Sequence, residues 1–230
     1  MNPFSRLQFS ISGFDALVCL DGVLPFQPEF YEHFTTNSII AADGASLQLR
    51  SLGVTPGSII GDLDSFYLSA SNEDFPNSSI LYSPDQETND FEKCLAYCLK
   101  LGITSVLICG FHGGLLEHSL NNWSVFIRYS KIMDLCIYES NRYSIPLHQS
   151  IVFSSNSLEI ISLIPQTSVR VTTQGLQWEL SNEWLSLGTR EGARNRAIAE
   201  DISIEIHEGS LLFICDERFP QRPVFTQSIN

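Results

Sequence analysis

Residues 38–64 read SIIAADGASLQLRSLGVTPGSIIGDLD. Two short apolar runs, SIIAAD (38–43) and GSIIGD (57–62), enclose the amphipathic stretch ASLQLRSLG (45–53). Strand-like runs that are nearly continuous in apolar residues, separated by a helical pattern, are what a parallel sheet buried on both faces requires. The same alternation continues outward through DALVCL (15–20), SSILYS (78–83), SVLICG (105–110) and DLCIYE (134–139). Between these lie two further helical patterns, TNDFEKCLAYCLKLG (88–102) and LLEHSLNNWSVFIRYS (115–130). The expectation is an α/β three-layer domain with a mostly parallel sheet over residues 1–145. In such sheets ligands bind outside the carboxyl ends of the strands.

Beyond residue 145 the helical patterns stop. SIVFSS (150–155), SLEIISLIP (157–165), VRVTTQGLQWELS (169–181), WLSLGT (184–189) and AEDISIEIHEGSLLFICD (199–216) are strand-like and punctuated by turn signals. An all-β sandwich over residues 146–230 follows as the expectation. Within it, ISIEIHEGSLLFIC reads as a hairpin around His207-Glu208-Gly209, and the last ten residues read as a loose tail.

Composition narrows the partners. With 43% hydrophobic and 17% charged residues the chain reads as a soluble globular protein, and no apolar run is long enough to span a bilayer. The N-terminal MNPFSRLQFSISGF lacks the apolar core and cleavage site of a secretory signal. A net charge of −13 with only three lysines, Lys93, Lys100 and Lys131, argues against nucleic acid or an anionic membrane as partner. The six cysteines sit mostly among Leu, Ile and Val, as small buried hydrophobes of a reducing, cytoplasmic compartment, with no spacing that completes a zinc site.

The carboxylates fall where the chemistry of such a sheet belongs. Asp43 closes SIIAAD, Asp62 and Asp64 close SIIGDLD, and Asp85 to Glu92 lie between a strand and a helix. Aspartate is common as a helix cap or turn residue, and each of these taken singly fits that role. Their shared placement at strand ends favours a metal–phosphate site. In an extended segment the i,i+2 spacing of Asp62 and Asp64 would aim both carboxylates the same way. Mg²⁺ prefers a few carboxylates with waters and phosphate oxygens. Gly113 and Gly114, after a strand and before a helix, could offer backbone N–H groups to phosphate. No Walker-type or GxGxxG motif is present.

Four segments together resemble the thiamine pyrophosphokinases. AADGASLQLRSLGVTPGSIIGDLDSF is similar to the family's A-D-G-G-A stretch running into G-D-x-D-S, and SPDQETNDFEKCL to D-Q-x-x-T-D-F-x-K-x-L. GFHGGLLEHSLNN is similar to G-G-R-x-D-H-x-x-x-N, and TTQGLQWELSNEWLSLGT to T-x-G-L-x-W/Y-x-L with its following loop. The resemblance implies pyrophosphoryl transfer from ATP to the hydroxyethyl group of thiamine, giving thiamine diphosphate and AMP, in a homodimer with shared active sites. Asp62, Asp64 and Asp90 would hold Mg²⁺ with Asp43 close by, and a carboxylate of this set could take the proton of the attacking hydroxyl. Gln86, Thr88 and Lys93 would surround the nucleotide, His118 and Asn121 match family positions, and Trp178 would pack on thiamine from the partner subunit. From the residues alone, Trp178 reads first as a sheet-core aromatic, and Lys93 reads equally as a solvated helix residue.

Three positions depart from the family pattern. Leu115 replaces the motif Arg, Glu117 replaces the motif Asp, and the C-terminal loop reads GTREGARNRA with Arg190, Arg194 and Arg196. Ala45 for a motif Gly is a smaller change. Arg194 is the candidate for the missing positive charge, with a plain surface role as the alternative. Two other functions stay open at this level: a pyrophosphokinase for another hydroxyalkyl heterocycle such as a pterin, and a non-catalytic protein that binds thiamine compounds.

Overall fold

A computed structural model describes residues 4–227, and its first strand belongs with the last part of the chain. β1 (Ser5–Ser10) pairs in parallel with β9 (Ile151–Ser154) and antiparallel with β14 (Arg222–Gln227). The chain divides into two compact units, one Phe14–Glu139 and the other Met1–Gly13 with Ser140–Asn230. The division thus differs from a boundary at residue 145, because strand pairing over more than 140 residues of sequence gives the N-terminal strand to the later unit.

In the unit Phe14–Glu139 the strands are β2 (Ala16–Cys19), β3 (Ile39–Ala42), β4 (Ser58–Gly61), β5 (Ser79–Tyr82), β6 (Ser105–Cys109) and β7 (Asp134–Glu139). They run in the order β7-β6-β2-β3-β4-β5, and every pairing in that order is parallel. All residues of β2, β3, β4 and β6 are buried, as the apolar runs require, whereas the terminal strand β5 is half-exposed. The helices are α1 (Pro28–Tyr31), α2 (Ala45–Ser51), α3 (Asp64–Ser69), α4 (Asp90–Lys100) and α5 (Leu116–Tyr129).

α4 shows why these helices form where they do. Asn89 caps it by accepting the Glu92 backbone N–H at 2.9 Å, and Phe91, Cys94, Leu95 and Cys98 form its buried stripe. That stripe packs on β3 and β4. An aromatic chain of Phe91, Phe111, Trp123 and Phe126 continues the core to α5. All six cysteines are buried and none forms a disulfide, five of them in this unit and Cys215 on a strand of the other.

The other unit is strand-rich. It contains β1, β8 (Arg142–Leu147), β9, β10 (Ile160–Gln174), β11 (Glu183–Ser186), β12 (Gly192–Arg196), β13 (Asp201–Asp216) and β14. The expected hairpin at His207-Glu208-Gly209 does not form. Asp201–Asp216 is one strand that pairs antiparallel with β10 on both sides of an irregularity at Val169–Val171, facing Gly209–Ile206. Gly209 has φ +84, and a Cβ there would meet the Ser168 carbonyl oxygen at 2.2 Å, so the bend needs glycine. Before the bend β13 also pairs with β9, and after it with β8. The expected C-terminal tail is likewise corrected, since β14 is a strand on β1; residues 228–230 lie outside the described residues. No helix among the described residues is long and apolar enough to cross a membrane.

Candidate active site

The site lies at the carboxyl ends of β2, β3 and β4, where a parallel sheet leaves its loops open to ligands. Asp43 follows β3 and is 4% exposed. Its two oxygens accept the backbone N–H groups of Phe66 at 2.8 Å and Ser65 at 3.1 Å, in the first turn of α3. Burial pushes its carboxyl above the usual aspartate range; these two N–H groups pull against that, and the nearby Asp62 adds to it. Asp62 follows β4 and receives the Gln86 Nε2 donor at 3.3 Å. Asp90 opens α4 and takes the Lys93 ammonium at 3.1 Å. Burial raises the Asp90 carboxyl too, Lys93 lowers it, and Asp62 and Asp43 raise it further.

One oxygen from each of Asp43, Asp62 and Asp90 lies within 4.8 Å of the others. Gly61 leaves them the room: a Cβ there would stand 2.8 Å from the Asp43 Cβ and 3.2 Å from the Asp90 Oδ1. Three converging carboxylates facing one lysine leave an excess of negative charge that a hard divalent cation would neutralise, and an all-oxygen donor set suits Mg²⁺. The donor chemistry therefore fits the expected ion.

The cleft around this group has a volume of about 390 Å³, and Gln86, Thr88, Lys93, His118 and Asn121 line it together with the three aspartates. Asp64 does not join them. Leu63 adopts a left-handed conformation, φ +61 and ψ +17, so the segment is not extended and the i,i+2 argument loses its premise. Asp64 sits exposed at the start of α3, its backbone N–H 3.5 Å from Asp62 Oδ1. The motif position just before Asp90 is occupied by Asn89. Asn89 caps α4 and donates to Asn122 of α5 at 2.9 Å, while Thr88 bonds Asp85 at 2.6 Å. Gly113 and Gly114 lie in the loop before α5, outside the cleft lining, with Gly113 close against Val23. Leu115 and Glu117 are exposed at the start of α5, and neither lines the cleft.

Trp178 and Arg194 belong to the strand-rich unit. Trp178 is 60% exposed, not a sheet-core residue, and a buried amide holds it. Asn195 accepts its N–H at 3.2 Å and donates to its carbonyl at 2.7 Å. Arg194 has φ +57, is exposed, and donates its backbone N–H to Ser162 at 2.9 Å; Arg190 is paired with Glu183.

Sequence reasoning missed Asp21. It follows β2 as Asp43 follows β3, so LVCLDG carried the same signal of an apolar run ending in aspartate. Asp21 lines the cleft and accepts from Gln48 of α2 at 2.8 Å. The amide contacts of Asn122 and Asn195 had no comparable signal, because they depend on partners remote in sequence.

Set beside known proteins, the unit carrying this cleft matches the family model for the thiamin pyrophosphokinase catalytic domain over residues 31–137. The strand-rich unit matches the model for the thiamin pyrophosphokinase vitamin B1 binding domain over residues 148–211. This pairing of a catalytic with a vitamin-binding domain defines a class of diphosphotransferase. The chain belongs to the thiamine pyrophosphokinase family. It is 28% identical to thiamine pyrophosphokinase 1 of Arabidopsis thaliana, the match covering 83% of this chain and 82% of that one. It is 24% identical to thiamin pyrophosphokinase 1 of Caenorhabditis elegans, over 76% of each. Among solved structures, yeast thiamin pyrophosphokinase shares the fold at a TM-score of 0.71 and 19% identity, covering 90% of this chain and 88% of that one.

Proposed function

We propose that this protein transfers the pyrophosphoryl group of ATP to the hydroxyethyl oxygen of thiamine, yielding thiamine diphosphate and AMP. The observation that carries the reading is the convergence of Asp43, Asp62 and Asp90 beside a buried lysine, within the unit that matches the catalytic domain. Asp43, Asp62 and Asp90 would hold Mg²⁺, with the expected ligand Asp64 two residues from Asp62. When bound, the ion neutralises phosphate charge and orients the phosphate oxygens. Lys93 supplies a fixed positive charge at the cleft wall, and Gln86 holds the orientation of Asp62. Asp43 fixes the turn that carries Asp62 through its two backbone acceptor contacts. A carboxylate of the group takes the proton from the attacking hydroxyl.

The layering we read is a three-layer α/β domain followed by a β-sandwich, and the working form is a homodimer with shared sites in which Trp178 packs on thiamine. Free buried cysteines support a reducing cytoplasmic setting, and the charge of −13 supports the absence of nucleic-acid and membrane partners. Arg194, exposed on its strand, is the candidate for the positive charge that the family motif carries at Leu115, with a plain surface role as the alternative; in the first case Arg194→Ala should lower turnover by about tenfold or more, and unchanged kinetics would return it to the surface. The deciding experiment for the function is AMP release from Mg²⁺-ATP with a panel of acceptors. Release with thiamine alone supports the reading; release only with a pterin alcohol, or none with any acceptor, overturns it.

A further inference from the structure

Among the described residues five carboxylates line the cleft, and Asp43, Asp62 and Asp90 are the three that converge. The other two are Asp21 and Glu87. Glu87 is exposed and is tied through its backbone N–H, which donates to Asp85 at 3.0 Å. Asp21 is exposed too, but both its backbone and its side chain are held. The N–H groups of Leu20, Gly22 and Val23 donate to the carbonyls of Cys109, Gly110 and His112 at 2.9, 3.0 and 2.7 Å, so the segments leaving β2 and β6 are zipped together around it. Gly22 permits this approach, since a Cβ there would collide with the Gly110 and His112 carbonyl oxygens. The Asp21 carboxylate lies over Gly44, where a Cβ would stand 2.7 Å from Oδ2, and Oδ1 accepts Gln48 Nε2 at 2.8 Å. A carboxylate offers about four lone-pair sites, so acceptor capacity remains beyond the Gln48 bond.

We infer that Asp21 selects the acceptor by charge, its carboxylate facing the positively charged thiazolium ring of thiamine. The inference rests on the function proposed above and names a specificity residue for it. The hydroxyethyl arm is short, so a hydroxyl brought to the phosphate takes the ring's positive charge into the cleft with it. A carboxylate at Asp21 repels phosphates, which belong with Lys93 and the ion at Asp43, Asp62 and Asp90. Like charges set side by side are costly, and this cost is what excludes a wrong partner. Lys93 repels a cationic ring, and the charge of the three converging carboxylates goes to the ion. Asp21 and Glu87 are left to meet the ring. A group already fixed loses little freedom on binding, which favours Asp21, held by Gln48 and the paired segments, over Glu87.

The test is steady-state AMP release by the wild-type protein, Asp21→Asn and Glu87→Gln with two acceptors. One is thiamine, and the other is deazathiamine, the isostere in which a carbon replaces the charged ring nitrogen. Asp21→Asn removes the charge, keeps the shape and can still accept from Gln48, so it should fold, and thermal unfolding checks it. The variant should raise the KM for thiamine by about tenfold at low salt, with a smaller effect at high salt, because an exposed charge is screened. Its KM for deazathiamine should not rise, and its KM for Mg²⁺-ATP should stay level or fall. An unchanged KM for thiamine in the folded variant, or equal changes for both acceptors, overturns the role of Asp21 and leaves the proposed function standing. A loss of discrimination in Glu87→Gln instead of Asp21→Asn does the same. A wild-type protein that releases no AMP with either acceptor overturns the function and the inference together.

Discussion

The ammonium of Lys93 stands 3.1 Å from Oδ1 of Asp90, three residues earlier on the same helix, and the lysine side chain is only 6% exposed. A lysine withdrawn from water to this degree needs a nearby anion, and Asp90 with its two carboxylate neighbours supplies it. Lys93→Met should therefore lower turnover by about 10²-fold, the usual cost of losing one preorganised charge in a phosphate site. It should also destabilise the protein by about 2 kcal/mol by stranding Asp90. Steady-state kinetics and denaturant unfolding check the two effects separately.

With Asp43, Asp62 and Asp90 as the proposed Mg²⁺ ligands, metal binding and stability should move together. In chelator, Asp62→Asn relieves repulsion and should raise the melting temperature by about 2–4 °C, a gain of about 1 kcal/mol. Added Mg²⁺ should raise the wild-type melting temperature and leave the variant nearly unmoved, and the variant should be inactive. A variant that still transfers pyrophosphate at saturating Mg²⁺ removes Asp62 from the ligand set.

Gly61 offers a test that changes no charge. With a Cβ 2.8 Å from that of Asp43, which two backbone N–H groups hold in place, Gly61→Ala must displace the group. Turnover should fall by about 10²-fold, as for a catalytic group moved by about 1 Å, with near-normal circular dichroism. Wild-type turnover in this variant would show that the carboxylates have more freedom than their packing indicates.

Asn195 positions the exposed Trp178 through its buried amide. Asn195→Ala leaves a backbone N–H and a carbonyl at Trp178 without their partner and should cost about 1–3 kcal/mol. Its specific readout is kinetic: the KM for thiamine should rise while that for ATP stays constant, with altered tryptophan emission. Equal changes in both KM values would mean general loosening of the unit.

The N-terminal strand gives a prediction about pH. Arg6 of β1 lies 3.1 Å from Asp201 of β13, and this hydrogen bond, followed by one from Ser154, holds the Asp201 carboxyl below its usual range. A depressed folded-state value contributes stability above the unfolded value of about 3.9 that is lost as pH falls through the folded one. Both side chains are more than a third exposed, so Asp201→Asn should cost under about 1 kcal/mol at pH 7. The difference between variant and wild type should vanish in acid, and urea unfolding at pH 7 and pH 3 measures it.

The local patterns were enough for the parallel strands and their helices. Burial on both faces writes itself as SIIAAD or SVLICG, and an aspartate at such a run's end is a local signal wherever it falls. That is why Asp43 and Asp62 could be read locally, and why Asp21 was there to be read; Asp90 stood out only by its place between a strand and a helix. What the sequence could not carry was set by residues far apart along it. Asp64 parted from Asp62 because Leu63 turned left-handed as the chain entered α3, capped from β3 by Asp43. The strand at Gly209 bent without turning back because β10, some 40 residues earlier, offered pairing on both sides of the bend. β1 went to β9 and β14, and the amide contacts Asn89–Asn122 and Asn195–Trp178 formed only when those distant segments came within reach. Hydrophobic period and residue type act over a few residues and are visible in one dimension. Strand partnership, hydrogen bonds between distant segments and the meeting of carboxylates depend on which segments pack together, and the tertiary structure alone decided them.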